Sequence, residues 1–394
     1  MKIAQVNKFF YYKGGADRVC LDEVQMLEAA GHEVSHFSMK HEKNLPSPYE
    51  QFFIEHIDFT KEKSVKKAAH YIWSEEARKK MTAFLQEAQP DVIHMHNIAH
   101  QLTPSILWAA RKAGVPVVQT LHDYKLICPN YRLYTKGSVC EQCKYKKYWN
   151  AVANKCAQDS TASSVIAAAE MMAHKWVLRS YERGIKKYIA PSQFMRDKVI
   201  EWGIPEDSVI YIPNAIETPE KDDSMQRKKQ VVFVSRLVKE KGIHVVLDAA
   251  AQLQEGKIIV IGDGPDKENM ENRIKKEGIE NVEMMGFQNH ETIYRVMQES
   301  QAVIMPSLWY ENAPMVVQEA FALGVPMLVS RIGGLPELVE EGVNGYIHEP
   351  GDAEGLAKNI EMCYSNPLMD LPPSPFTAEA HVQALEALYT SVLR

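Results

Sequence analysis

Short apolar runs alternate with stretches of helical spacing along nearly the whole chain. In the first half the runs fall at 3–6, 33–37, 92–95, 115–121 and 187–190; a second series follows at 231–235, 257–261, 282–285, 302–305 and 326–329. Between them, segments such as 18–30 and 242–253 place apolar residues three and four apart, as one face of a helix requires. Strands alternating with helices predict parallel sheets wrapped by helices, one in each half, hence an α/β protein with two doubly wound domains. The join is expected between Pro191 and Asp223, where Pro191, Pro205, Pro213 and Pro219 interrupt the pattern and 221–229 is polar and charged. After the Pro372-Pro373-Ser374-Pro375 break, 377–393 reads as a final helix.

Bulk properties narrow the function. At 394 residues the chain exceeds one ordinary core, and 45% apolar content is globular. A net charge of -6 with a pI near 6.2 argues against nucleic acid as the main partner. No run approaches the ~20 apolar residues of a membrane span, and Met1 to Val6 leads into a strand rather than a signal peptide. The expected location is cytoplasmic.

The most informative segment runs from Glu311 through Asn312-Ala313-Pro314-Met315-Val316 to Glu319 and Gly324. Pro314 suits the first position of a helix, and Gly324 followed by Pro326 suits its end. Free N–H groups at such a start favour a phosphate or sugar hydroxyls, and Glu311 stands beside them. Eight positions on a continuous helix rise about 12 Å, beyond the roughly 5–9.5 Å of a glycosidase pair. The two acids are therefore expected to contact different parts of one long ligand, with a capping acid before the helix and a solvated acid on its outer face as the alternative.

Other candidates sit at strand ends, where open α/β sheets bind ligands. Arg236 and Lys241 follow the run at 231–235 and suit a diphosphate, with a solvated loop of mixed charge as the alternative. Gly262-Asp263-Gly264-Pro265 follows the next strand, where small residues let a ligand approach the backbone; Lys267 stands where a dinucleotide fingerprint needs its third glycine. Gly14-Gly15 lies between the first strand and its helix. His122-Asp123 ends the run at 115–121, and His94, His96 and His100 read as strand-end and loop residues without a metal-binding spacing.

Cys128, Cys140, Cys143 and Cys156 cluster in an insertion at 124–160, with Cys140 and Cys143 in C-x2-C spacing. In a reducing compartment this suggests a structural, noncatalytic zinc site, with reduced unliganded thiols as the alternative. Lys144, Lys146, Lys147, Tyr148 and Trp149 share the insertion, a basic and aromatic stretch suited to an anionic lipid carrier or peripheral membrane contact, or else a solvated loop.

Taken together, these residues resemble the retaining GT-B glycosyltransferases, the glycosyl transferases group 1 that include glycogen synthase-like and phosphatidylinositol mannosyltransferase-like enzymes. The match is strongest from Glu311 to Glu319, an E-x7-E element continuing into Ala320, Gly324, Pro326, Gly333-Gly334, Pro336-Glu337 and Asn344-Gly345. Arg236, Lys241-Gly242, Gly262 to Pro265 and Pro213-Asn214 follow in the family's order. The resemblance implies two Rossmann-like domains facing across a cleft. One is an acceptor-side domain, 1–195, completed by a helix at 376–394; the other is a donor domain, 196–375. It further implies that Arg236 and Lys241 bind the donor diphosphate, and that Glu311 with the backbone from Asn312 through Ala313, Pro314 and Met315 to Val316 holds the donor sugar. Glu319 would take the ribose hydroxyls, His122 would contact the sugar, Gly14 and Gly15 would border the phosphates, and Gly262 and Gly264 would line the donor. The implied donor is a UDP- or GDP-sugar, and the acceptor a glycan, lipid-linked or small molecule, with no catalytic cofactor required. Many relatives carry a glycine-containing motif where this chain has Asn312-Ala313-Pro314, which leaves the sugar open. A nucleotide-sugar epimerase or a noncatalytic nucleotide-sugar binder on the same fold are the competing readings.

Overall fold

The computed structural model describes residues 1–57, 65–216, 220–222, 224–369 and 371–393, so Pro219 and Asp223 lie outside it. The chain forms two compact units. The first comprises Met1–Thr135, Glu141–Ala215 and Ala378–Arg394; the second, Lys136–Cys140 and Ile216–Thr377.

In chain order the first unit carries strands β1 (Lys2–Val6), β2 (Glu33–Phe37), β3 (Val92–Met95) and β4 (Val117–Thr120). The two-residue strands β5 (Tyr134–Thr135) and β6 (Ser138–Val139) follow, β6 falling in the Lys136–Cys140 segment of the second unit, and then β7 (Lys187–Ala190) and β8 (Val209–Tyr211) in the first. Six of these form one sheet in the order β2-β1-β3-β4-β7-β8, parallel throughout. All four residues of β3 and of β4 are buried, as expected for strands covered by helices on both faces. The closing helix, Ala378–Leu393, packs Val382, Leu385, Leu388 and Tyr389 against Ile3, Leu27, Val92 and Ile189.

The second unit holds β9 (Gln230–Val234), β10 (Lys257–Ile261), β11 (Val282–Gly286), β12 (Ala302–Met305), β13 (Met327–Ser330) and β14 (Gly345–His348). Their order, β11-β10-β9-β12-β13-β14, is the doubly wound arrangement in which strand order reverses beside the first strand. Apolar side chains fill both faces, Val231, Phe233 and Ile304 on one and Val232, Val303 and Val329 on the other.

Within the two six-stranded sheets, two strands escape the hydrophobic pattern, and both are sheet edges. β8 has only three residues and ends just before Pro213; because it belongs to the first sheet, the first unit runs to Ala215 rather than stopping at 195. β14 begins at Gly345, where a Cβ would stand 2.0 Å from the Met327 carbonyl oxygen, so close strand approach rather than apolar periodicity selects the residue.

Candidate active site

In the second unit, Glu311 lies in the loop between β12 and the helix Met315–Ala322. Pro314 is extended (φ -70°, ψ 127°) and precedes the first helical residue, which corrects the helix start expected at Pro314. Glu311 therefore does not share a continuous helix with Glu319, and the 12 Å rise does not measure their separation.

Three donors converge on one oxygen of Glu311. Oε1 accepts from Lys241 Nζ at 2.7 Å, Ser307 Oγ at 2.7 Å and Trp309 Nε1 at 2.8 Å. The residue is 4% exposed, and burial of a carboxylate demands such partners. Oε2 makes no hydrogen bond among the described residues. Lys241 also stands 5.2 Å from the Trp309 ring centroid.

Glycines bring this arrangement together. Gly242, at φ +76°, follows Lys241, and a Cβ there would lie 1.7 Å from the Pro306 carbonyl oxygen. Gly333, at φ +61°, would place a Cβ 2.3 Å from the Glu311 carbonyl oxygen, which accepts at 2.8 Å from the Gly334 N–H. Gly262 and Gly264 differ from the expectation of ligand approach, because backbone fills the space beside them. A Cβ at Gly262 would stand 1.9 Å from the Ser235 carbonyl oxygen, and one at Gly264 2.3 Å from that of Leu237. They seat the loop that carries Arg236. Arg236 itself is exposed and makes no ion pair among the described residues. Glu319 is buried and accepts from the Tyr294 hydroxyl at 3.3 Å, while Asn312 to Val316 are half-buried.

In the first unit, His122 lines a pocket of about 220 Å³ with Lys8, His100, Asp123, Lys125 and Tyr131. The Asp123 carboxylate accepts from the Lys125 N–H at 2.8 Å, so it closes its own turn, and burial raises its pKa. Gly14 and Gly15 are exposed where the helix Gly15–Ala29 begins. Gly14 is extended, at φ -161°, a backbone any residue adopts.

Behind His122 is a buried polar network that the spacing of its members along the chain conceals. His122 Nε2 is 2.8 Å from His96 Nδ1. His96 Nε2 is 2.8 Å from Gln5 Oε1 and 3.4 Å from Glu23 Oε2. Glu23 also meets His94 Nδ1 at 3.3 Å and His381 Nε2 at 3.1 Å, and His94 reaches the Tyr389 hydroxyl at 2.8 Å. His94, within β3, and His96, directly after its last residue, are strand-end residues as expected, and both are wholly buried members of this cluster. Their i, i+2 spacing, which sends both side chains to one face, was the available signal. Burial lowers the pKa of His122 and takes His94 down to about 3. Burial opposes a charge on His96 as well, yet Cys20 and Glu23 outweigh it and hold that ring at about 10.

Among the described residues, Glu23, His94 and His96 are the only three or more metal-ligating side chains whose ligand atoms lie within 4.8 Å of one another. Among the described residues Cys128, Cys140, Cys143 and Cys156 form no such group, and none of the six cysteines is in a disulfide. Cys128 donates to Asn130 Oδ1 at 2.9 Å, and burial pushes its thiol up to about 11. Of the neighbouring aromatic stretch, Tyr148 is buried, whereas Tyr145 and Trp149 are 77% and 55% exposed. No helix among the described residues is long and apolar enough to cross a membrane.

Two family models cover most of the chain: Glycosyltransferase Family 4 over residues 13–220 and Glycosyl transferases group 1 over residues 215–374. The amylovoran biosynthesis glycosyltransferase AmsK of Erwinia amylovora is 30% identical over 207 residues, covering 49% of this chain and 50% of that protein. An uncharacterized 42.6 kDa protein in the cps region of Klebsiella pneumoniae is 25% identical over 358 residues, covering 86% and 87%. The match to the first relatives thus spans about half their length. Among solved structures, Anabaena Alr3699/HepE in complex with UDP and glucose superposes with a TM-score of 0.67 at 19% identity, covering 99% of this chain and all of that one. The lipopolysaccharide outer core galactosyltransferase WaaB gives 0.64 at 16%, covering 99% of each. With two parallel six-stranded sheets and these matches, the chain belongs to the GT-B glycosyltransferases, as a member of Glycosyltransferase Family 4 with a Glycosyl transferases group 1 region.

Proposed function

We propose that the protein transfers a hexosyl or related sugar, with retention, from a nucleotide-sugar donor to an acceptor hydroxyl. UDP- and GDP-sugars are the expected donors, and HepE complexes with UDP and UDP-glucose support the former. The acceptor is expected to be a glycan, lipid-linked or small molecule; the AmsK name supports a polysaccharide. The observation that carries the reading is the convergence of Lys241, Ser307 and Trp309 on one oxygen of Glu311; exposed Arg236 lies, like Lys241, in the segment that follows β9.

In this reading Arg236 grips the diphosphate as a planar fork, and Lys241 turns from Glu311 toward it as the donor binds. The two cations stabilise the negative charge that grows as the sugar–phosphate bond breaks, an electrostatic task that commonly dominates catalysis. Glu311, anchored through Oε1, presents Oε2 to a sugar hydroxyl and supports positive charge at the anomeric carbon. The acceptor attacks from the face the diphosphate leaves, and a departing phosphate oxygen takes its proton. Glu319 accepts from the ribose hydroxyls, and His122 hydrogen-bonds the transferred sugar. A structural zinc on Cys128, Cys140, Cys143 and Cys156 would have no part in this chemistry; less than about one equivalent of zinc or iron in freshly purified protein would count against it. Exposed Tyr145 and Trp149 support a peripheral membrane contact.

Thermal-shift screening against UDP-, GDP-, ADP- and dTDP-sugars identifies the donor, because a ligand at 100 times its Kd adds about 2.7 kcal/mol to the native state. Glu311→Ala and Arg236→Ala are then each expected to abolish most transfer. Wild-type rates in both, or an isomerised donor formed without acceptor, overturn the proposal.

A further inference from the structure

The buried network behind His122 has a direction, and the amide of Gln5 reveals it. Gln5 Nε2 lies 3.4 Å from the Glu23 carboxylate, which can only accept, so the amide nitrogen donates there. Its Oε1 then faces His96 Nε2 at 2.8 Å and must receive a proton from that nitrogen. His96 Nε2 therefore carries hydrogen, which leaves Nδ1 to face His122 Nε2 at 2.8 Å across rings stacked 5.1 Å apart. One nitrogen of that pair donates and the other accepts.

Charge decides which. Glu23 is 2% exposed, and its side chain meets three imidazoles and one amide. A carboxylate so enclosed keeps its charge only where a neighbour carries the opposite one. The titratable groups around the His96–His122 pair are Cys20, Glu23, Asp17, His94, His381 and Lys8. Glu23 is held well below the usual carboxylate range: burial opposes this, and His94, His96 and His381 prevail. His94 is unsuited to hold the balancing proton, being driven down by burial, whereas His96 is held up.

We propose that Glu23 and His96 are positioning residues for His122: His96 donates from Nδ1 to His122 Nε2, so that His122 carries its own proton on Nδ1 and serves only as a hydrogen-bond donor to the ligand. With Nε2 occupied, His122 has no lone pair left to act as a base. This rests on the reading of His122 as a sugar contact and sharpens it. The same logic operates wherever a carboxylate fixes the tautomer of a functional histidine through a hydrogen bond.

The test reads the tautomer directly. Full-length protein with 15N-labelled histidine is examined by long-range 1H–15N NMR at neutral pH, with His122 assigned by its disappearance in His122→Gln. The expected wild-type pattern is a neutral ring protonated on Nδ1, alongside a His96 ring protonated on both nitrogens. Glu23→Gln should move His122 wholly or partly to the Nε2–H form. It should also lower kcat about 10- to 100-fold, with the donor KM within about threefold. If Glu23→Gln does not fold, His96→Leu serves, since it removes the donor to Nε2 and should shift the tautomer likewise. A wild-type His122 protonated on Nε2, or a pattern that neither variant moves, overturns the proposal. Wild-type transfer by His122→Gln would instead sink the role of His122 in the reaction while leaving the tautomer result intact.

Discussion

Glu311 and Glu23 are both buried carboxylates surrounded by donors, one in each unit, yet they are built in opposite ways. Two of the three groups on Glu311 lie within four residues of it, Ser307 and Trp309, and the third follows β9 in the same sheet. The groups on Glu23 come from Gln5, His94, His96 and His381, spread over nearly the whole chain. Glu311 keeps an oxygen unbonded among the described residues, whereas both oxygens of Glu23 are engaged. A carboxylate held locally with a free oxygen is suited to meet a ligand; one held by distant elements ties a fold together.

The contrast predicts separable losses. Glu23→Ala should cost the most, about 3–5 kcal/mol of stability by denaturant titration, because it strips a buried charge network of its centre. A loss under about 1 kcal/mol would place Glu23 on a par with surface acids. Glu311→Ala should reverse the pattern, with transfer down about 10²- to 10³-fold and stability changed by about 1 kcal/mol or less. Equal damage to stability from both variants would erase the distinction between the two sites.

Acid should separate the units next. Burial holds His36 at about 4 and His94 at about 3 in the first unit, and His348 at about 4 in the second. Each ring takes up a proton near pH 6.5 when unfolded but stays neutral when folded. Its contribution is therefore intact above pH 6.5 and falls by about 2 kcal/mol at pH 5. His100, His122 and His174 shift the same way and also belong to the first unit. His96 shifts upward, so its contribution is complete below pH 6.5 and is lost as pH rises through about 10. Hydrogen exchange at pH 5 should show the first unit opening before the second; simultaneous opening contradicts this. The smallest effect is expected from Tyr294→Phe, which removes one 3.3 Å bond to Glu319 and should weaken nucleoside diphosphate binding by about two- to tenfold in calorimetry. An unchanged Kd would detach Tyr294 from the donor site.

The same contrast explains what could be read from the chain. Strands announce themselves as short apolar runs, so ten of the twelve in the two large sheets stand close to where periodicity puts them, while short β8 and glycine-led β14 do not. The proposed site residues Lys241 and Arg236 were singled out because strand ends collect ligand-binding residues within short stretches, and Glu311 because it precedes a helix start. Ser307 and Trp309 were not, since a serine and a tryptophan before an acid carry no spacing rule. The Glu23 network was hidden for a deeper reason: apart from the i, i+2 pair His94 and His96, its members share neither an element nor a period, and only the pairing of β1 with β3 and the return of the last helix bring them together.

That returning helix also sets a clock on synthesis. The first unit needs Leu385, Leu388 and Tyr389 to cover Ile3, Val92 and Ile189, but a ribosome makes Ile216–Thr377 before it reaches them. At ~5–20 residues per second the nascent first unit waits roughly ten to thirty seconds with an apolar face uncovered. The second unit, continuous apart from Lys136–Cys140, has no such wait. Chaperone dependence during translation should accordingly track the first unit, although its sequence is begun first.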